Sequence, residues 1–421
     1  MTSVASRGSR IRHSYGNRII GLDFARLLAI LGMIAAHVFL GKAPEVVLIA
    51  VTGFPAALFA VLGGVSAVVS TRTMVGQGRI VAGCASVVIR GLVILSIGLV
   101  LGLLPNFIVM VLAYYGAALV VTGLLLWVPT WAVTVLATGL VIASPYLILL
   151  VRGATTPDPI AVPSLDSPIS FLQTIGFTGF YPAITWLTYM LIGVCVGRCL
   201  TAEHPSTPRA LRVAVVGAGL AAVGIASDLM SRAMTIAQLR HDGHSLSEAH
   251  KLVTSEGFGT PLSDGWIALL NGATHTGSSA DILRTAGIAV VIIGLLVAAT
   301  AQVKTPLPQP LEAFRRAGAA PLTIYVLQFG SVPILLIGAS FLLPENEWLP
   351  IIKIGTLLAH IVLIIAFGWI LSRSNRRGPL EALVSATVKT VVRPRRILST
   401  APDVGGSDEG DSASANEART L

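Results

Sequence analysis

The sequence predicts an all-α fold, a polytopic integral membrane helical bundle of about ten transmembrane helices with both termini cytoplasmic. Three observations carry this expectation. Of 421 residues, 54% are hydrophobic and only 12% are charged, about half the charged share of a soluble domain, and mean hydropathy is +0.81. Apolar runs of roughly 20 residues, the length that crosses a bilayer, recur along the chain. Lys and Arg gather on alternate connections between these runs, as cytoplasmic loops require.

The runs lie near residues 20–40, 45–69, 88–104, 106–127, 130–151, 174–197, 211–230, 283–303, 319–343 and 350–372. Arg90 interrupts the third, so residues 79–90 are expected along the interface before that helix enters. Pro129-Thr130-Trp131 joins the fourth and fifth as a tight helical hairpin. The inside segments carry Arg72, Arg79, Arg198, Arg209, Arg315, Arg316, Arg376 and Arg377. Two long connections, 152–173 and 231–282, fall outside, and long ordered loops are usually functional. Within the second, "TIAQLRHDGHSLSEAHKLV" suits a short amphipathic helix. Three parts follow: a basic cytoplasmic N-terminus at 1–19, a transmembrane domain at 20–383 and a cytoplasmic tail at 384–421. Beyond about residue 400 the tail is polar and expected to be disordered. The first run lacks a small-residue cleavage site and is expected to be retained as a helix. The expected location is the cell (plasma) membrane, in multi-pass form.

The formal charge of +9 belongs to inside loops and tails. No basic patch interleaved with aromatics points to nucleic acid. Cys84, Cys195 and Cys199 lie in or beside apolar segments and read as fillers. His241, Asp242, His244 and His250 match no zinc spacing, so no metal is expected. Asp228 and Arg232 read as a surface ion pair, and Tyr114, Tyr115, Tyr181, Trp186 and Tyr325 as packing or interface anchors. No Gly-rich phosphate loop or Ser-His-Asp pattern occurs.

The first run, "RIIGLDFARLLAILGMIAAHVFL", holds the chemistry. Arg26 and His37 are eleven residues apart, so on a helix they share one face at a separation of about 16 Å. Asp23 lies one turn before Arg26 and can pair with it. Ionisable side chains within a membrane cost several kcal/mol and usually mark an interior pathway or site. The plain alternative is a snorkelling ion pair with an interfacial histidine. His275, among Thr274, Thr276, Ser278 and Ser279, is a second candidate at the outer side, against the reading of a solvated loop histidine. His360, flanked by Leu and Ile in the last run, reads as structural.

Asp23-x-x-Arg26-x10-His37, preceded by Arg18, resembles the opening of the transmembrane acyltransferase superfamily, in its heparan-α-glucosaminide N-acetyltransferase-like and DUF418-like members, related to acyltransferase-3. Four further stretches resemble that superfamily in order: "YPAITWLTYMLIGVCVGR" from Tyr181, "THTGSSADILRTAGIAVVIIGL" from Thr274, "AGAAPLTIYVLQ" from Ala317 and "RRGPLEAL" from Arg376. Leu27 departs from the Arg-Gly of many relatives, and Gln328 stands where some have histidine.

The resemblance implies an O- or N-acyltransferase that moves a short acyl group, acetyl in such proteins, from acyl-CoA to an extracytoplasmic envelope glycan or glycolipid. No permanently bound cofactor is implied, and acetyl-CoA is a donor substrate. Acyl transfer wants a general base. His37, near the outer side, is the first candidate for it and His275 the second. Arg26, Asp23 and Arg18 are expected at the donor site, with Arg72, Arg79 and Arg90 as further phosphate ligands. The competing readings are a transporter or flippase for a small amphiphile and an accessory scaffold. Membrane lipids are partners in either case, and the sequence leaves oligomeric state open.

Overall fold

The structure is a computed structural model, and it describes residues 18–39, 53–106, 108–155, 163, 167–202, 206–261, 266–303, 307–342 and 348–392. The expectations for residues 1–17 and for the tail beyond 392 lie outside these. The described residues form a helical bundle. In chain order the helices are α1 (Ile20–Phe39), α2 (Phe54–Gly76), α3 (Ile80–Gly102), α4 (Leu112–Leu125), α5 (Thr130–Gly153), α6 (Pro168–Gln173), α7 (Ala183–Thr201), α8 (Thr207–His241), α9 (Leu246–Thr254), α10 (Ser279–Thr300), α11 (Gln309–Gly318), α12 (Pro321–Leu342), α13 (Leu349–Ser374) and α14 (Pro379–Val391). Among the described residues nine are long and apolar enough to cross a membrane, and α4 is a shorter apolar helix.

The departures from expectation have local causes. α3 runs unbroken from Ile80 to Gly102, so residues 80–90 belong to the same helix as the apolar run that follows, and that helix is long and apolar enough to cross a membrane; Arg90 lines a cavity described below. α4 has 14 residues, about 21 Å, short of a full crossing. Pro105 and Asn106 precede it, and the Asn106 amide donates to the Phe329 carbonyl (2.7 Å) while its oxygen accepts from Ile108 N (2.9 Å). Ile108, Met110 and Val111 are buried, so this non-helical backbone sits inside protein, where a membrane protein tolerates it. The expected helix at 174–197 begins at Ala183, because the segment before Pro182 is held out of helical geometry after a π turn at Thr174–Thr178. α8 has 35 residues, about 53 Å, and overshoots the bilayer. The single amphipathic helix expected in 231–282 is therefore two pieces, the end of α8 and α9, divided at Gly243 with φ 96°. α9 opens on a Ser245–Glu248 capping box.

Two ends of the bundle matter. One carries the start of α1, the α2–α3 turn, the α4–α5 turn, the start of α12 and residues 376–385, and is rich in arginine; we call it the basic end. The other carries the end of α1, the starts of α2 and α10 and residues 255–261 and 266–278, the far end. Between them α2 and α7 pack backbone to backbone. A Cβ at Gly64 would collide with the Met190 carbonyl, and one at Gly193 with that of Val61. This close approach brings the aromatic residues of α2, α4 and α7 together.

Candidate active site

At the basic end, Asp23 is buried at 1% exposure and gathers three arginines. Its Oδ1 accepts from Arg26 Nη1 (2.6 Å), and its Oδ2 from Arg18 Nε (2.9 Å) and Arg315 Nη1 (3.2 Å). Arg315 is buried on α11 and also donates to Glu312 (2.8 and 2.5 Å), which Arg316 joins at 2.8 Å. Burial opposes the Glu312 carboxylate, but its hydrogen bonds to Arg315 and Arg316 outweigh this and hold it below its ordinary range. Asp23 thus aims the arginines and lines no cavity itself.

The cavity beside this network has a volume of about 390 Å³. Arg18, Arg26, Arg90, Arg316, Arg376 and Arg377 line it, against one carboxylate, Glu381. That carboxylate caps α12, accepting from Leu322 N (2.7 Å), Thr323 N (3.1 Å) and Thr323 Oγ1 (2.6 Å). Its charge is therefore taken up by a helix N-terminus, and Asp23 and Glu312, which pair with Arg18, Arg26 and Arg316, do not line the cavity, so six guanidinium groups border it with one carboxylate. Arg26 also donates to Ser66 Oγ on α2 (3.0 Å). Arg90 has no carboxylate partner among the described residues, and its Nε is buried without a hydrogen bond. A cavity so lined suits a ligand with several negative charges. Its closed end is apolar, made by Phe59, Ile94, Leu112, Tyr115 and Leu119. Of the expected donor residues, Arg18, Arg26 and Arg90 line the cavity, whereas Arg72 and Arg79 do not. Arg316, Arg376 and Arg377 join it; the sequence reads Arg316 only as inside-loop charge, and Arg376 and Arg377 as inside-loop charge that opens the "RRGPLEAL" stretch.

A small cavity at the far end is lined by His275, Tyr181, Trp186, Thr185 and Asp281 among others. His275 Nδ1 is hydrogen-bonded to the Glu256 carboxylate. Burial works against the charged carboxylate, yet the His275 hydrogen bond and charge hold Glu256 below its ordinary value. His275 has φ 57°, a region uncommon for a side-chain-bearing residue. Backbone pairing fixes it: Gly257 N donates to Thr274 O (2.9 Å) and Gly259 N to His275 O (2.7 Å). With Nδ1 engaged by a carboxylate, Nε2 is the nitrogen left to act as a base.

An aromatic column joins the two cavities. Ring centroids lie 5.1 Å apart for Phe59–Tyr115, then 5.9 Å for Tyr115–Trp186, 5.9 Å for Tyr181–Trp186 and 5.9 Å for Tyr181–His275. Tyr115 lines the basic cavity and Trp186 the far one, so one edge-to-face pair stands between them. These aromatics pack, as expected, and they also form the wall of the site.

His37 lies toward the far end but lines neither cavity. Its electrostatic neighbours are Gln328 on α12 and His275. The face it shares with Arg26 therefore meets different surroundings, since Arg26 reaches α2. His37 Nδ1 and both Gln328 side-chain atoms are buried without a hydrogen bond of accepted geometry. His360 is a satisfied core histidine, bonded to Ser331 Oγ and Thr356 O, both at 2.8 Å. Asp228 is not a surface group: it is 6% exposed, pairs with Arg232 (2.6 Å) and accepts from Gly272 N (2.7 Å), tying α8 to the loop before His275. Among the described residues, no group of three or more His, Cys, Asp or Glu side chains could hold a metal ion.

A comparison with curated proteins returns no match. The model of the family described as "Heparan-alpha-glucosaminide N-acetyltransferase, catalytic" matches residues 18–227. The match spans α1 to α7 and most of α8, and so contains Asp23, Arg26, His37, Arg90, Tyr115 and Trp186. His275, Arg316 and Arg376 lie beyond it.

Proposed function

We propose that this chain, whose residues 18–227 belong to the heparan-α-glucosaminide N-acetyltransferase-like transmembrane acyltransferase superfamily, is a plasma-membrane acyltransferase. It moves a short acyl group, acetyl, from cytoplasmic acyl-CoA to a hydroxyl or amine of an extracytoplasmic envelope glycan or glycolipid. The observation that carries this reading is the six-arginine cavity whose apolar closed end abuts, through the Tyr115–Trp186 pair, the cavity of His275. The basic end faces the cytoplasm by the distribution of Lys and Arg, which is where acyl-CoA is found.

The geometry supports the following roles. Arg18, Arg26, Arg90, Arg316, Arg376 and Arg377 hold the phosphates, with Asp23 and Arg315 setting the aim of Arg18 and Arg26. The pantetheine arm lies along the apolar end and brings the thioester to the aromatic wall. For transfer the Tyr115–Trp186 pair must part, so that the acceptor, entering from the far cavity, reaches the thioester carbon within range of His275. His275 Nε2 takes the acceptor's proton, the carbon–sulfur bond breaks, and the imidazolium returns that proton to the departing CoA thiolate. Glu256 fixes the His275 tautomer and favours the imidazolium that forms. His37 stands nearby as the other candidate for proton handling.

The test is thioester consumption. Protein purified into lipid nanodiscs, given acetyl-CoA and an amino-sugar glycoside, is expected to release free CoA thiol and acetylated glycoside together. A transporter or flippase leaves the thioester intact, and that result would overturn the proposal.

A further inference from the structure

The basic cavity runs from arginines to an apolar end, where Tyr115 is a lining residue that packs against Trp186 of the far cavity. Tyr115 is 8% exposed, with Leu112 and Phe59 beside it at 1% and 6%. Three neighbours fix its ring. Phe59 and Trp186 pack on it at 5.1 and 5.9 Å. On α2, Gly63 leaves room for the phenol, since a Cβ there would lie 2.6 Å from Tyr115 Oη. Along α2 the cavity lining runs from Ala67 to Phe59, and the far cavity begins at Ala57. Little depth remains past the ring, because the next aromatic, Trp186, already belongs to the other cavity.

Resting on the acyltransferase reading above, we infer that Tyr115 is the specificity-determining residue for acyl-chain length. With the phosphates held by the arginines, the acyl group is the leading end of the donor and meets the Tyr115 ring. An acetyl group ends short of it, whereas each further methylene must displace a ring clamped between Phe59, Trp186 and Gly63. In a hydrophobic pocket one methylene discriminates by roughly 10–200-fold, so a closed aromatic wall is sufficient to select short chains without any polar contact to the acyl group.

The experiment measures kcat/KM for acetyl-, butyryl- and hexanoyl-CoA with wild type, Tyr115→Ala, Tyr115→Leu and Leu112→Ala. Wild type is expected to prefer acetyl-CoA. Tyr115→Ala is expected to raise the hexanoyl-to-acetyl ratio by at least ~10-fold, Tyr115→Leu to raise it less, and Leu112→Ala to shift it the same way. Arg90→Ala serves as contrast and is expected to lower all three values alike, because it removes charge and not length. An unchanged ratio in a Tyr115→Ala or Tyr115→Leu protein that still turns over acetyl-CoA overturns the inference. If Tyr115→Ala fails to fold, the Leu substitution and Leu112→Ala decide by the same ratio. A wild type that consumes no acyl-CoA would instead overturn the acyltransferase reading itself.

Discussion

Asp23 on α1 accepts a hydrogen bond from Arg315 on α11, 292 residues further along the chain, at 3.2 Å, and both side chains are 2% exposed. The contact ties the first helix to the short helix before α12, behind the arginines that line the cavity. Breaking one side of a buried charge pair costs about 3–5 kcal/mol. Arg315→Met is expected to lower the unfolding midpoint by that order and to weaken donor binding, because Asp23 then repositions Arg18 and Arg26. Adding Asp23→Asn removes the stranded charge, so the double variant is expected to lose less than the sum of the singles. Strict additivity in thermal unfolding would show that the contact carries no coupling.

Arg90 inverts that pattern. Among the described residues it has no carboxylate partner, and its Nε is buried without a hydrogen bond. A cation with a buried, unbonded nitrogen and no carboxylate partner is costly, which is consistent with the anion-binding role proposed above. Arg90→Met is expected to raise the stability of the ligand-free protein by about 1 kcal/mol. The same change is expected to weaken CoA binding roughly 10–100-fold, the worth of one charge-assisted hydrogen bond. Melting curves with and without CoA read both effects, and a destabilised variant with unchanged CoA affinity would make Arg90 a purely structural group.

The membrane orientation is tested with single cysteines after Cys84, Cys195 and Cys199 are replaced. Gln77 lies in the turn between α2 and α3 at the basic end, and Ser247 lies on α9 at the far end; both are exposed. A membrane-impermeant thiol reagent added to intact cells is expected to label Ser247→Cys and to spare Gln77→Cys. The reverse pattern would turn the arginine cavity away from the CoA pool.

Much of this architecture is legible in sequence because hydropathy and charge alternation are local signals. The Asp23–Arg26 pair is one helical turn apart, and spacing alone exposes it. Arg315 is invisible to such reasoning, since only tertiary packing brings it to Asp23. Arg90 reads as a break in an apolar run, because sequence does not show that its helix face borders a cavity. α4 reads as a full span until Asn106 is seen to bond Phe329, 223 residues away. Glu256 and His275 are 19 residues apart and share no helix, so no periodicity predicts their contact. The left-handed turn at His275 gives no sequence signal stronger than the following Thr-Gly.

Glu256 gives a pH prediction. Its folded-state pKa is depressed below the ordinary value of 4.5 by the His275 contact, against the opposing effect of burial. A depressed carboxylate contributes stability that is fully present above the unfolded pKa and is lost as pH falls through the folded one. The stability gap between wild type and Glu256→Gln is therefore expected to shrink as the medium is acidified below pH 4.5. A gap that widens on acidification would contradict the assigned contact.

The two histidines are separated by one comparison. His275 lines a cavity and has Glu256 on Nδ1, whereas His37 lines neither cavity and faces the Gln328 amide. A general base contributes roughly 10²–10⁴-fold to turnover. His275→Gln is expected to lose that much while CoA affinity stays, because glutamine keeps a hydrogen bond to Glu256 but takes no proton near neutral pH. His37→Gln preserves size and polarity beside Gln328 and is expected to keep turnover within about 10-fold, the lower bound of a base's contribution being 10². Glu256→Gln is expected to fall between them, since it leaves the base but not its fixed tautomer, and its loss should sit in kcat rather than in KM for acetyl-CoA. If His37→Gln abolishes turnover and His275→Gln does not, proton transfer belongs to the first helix, and the His275–Glu256 pair becomes a brace for the loop that frames the far cavity.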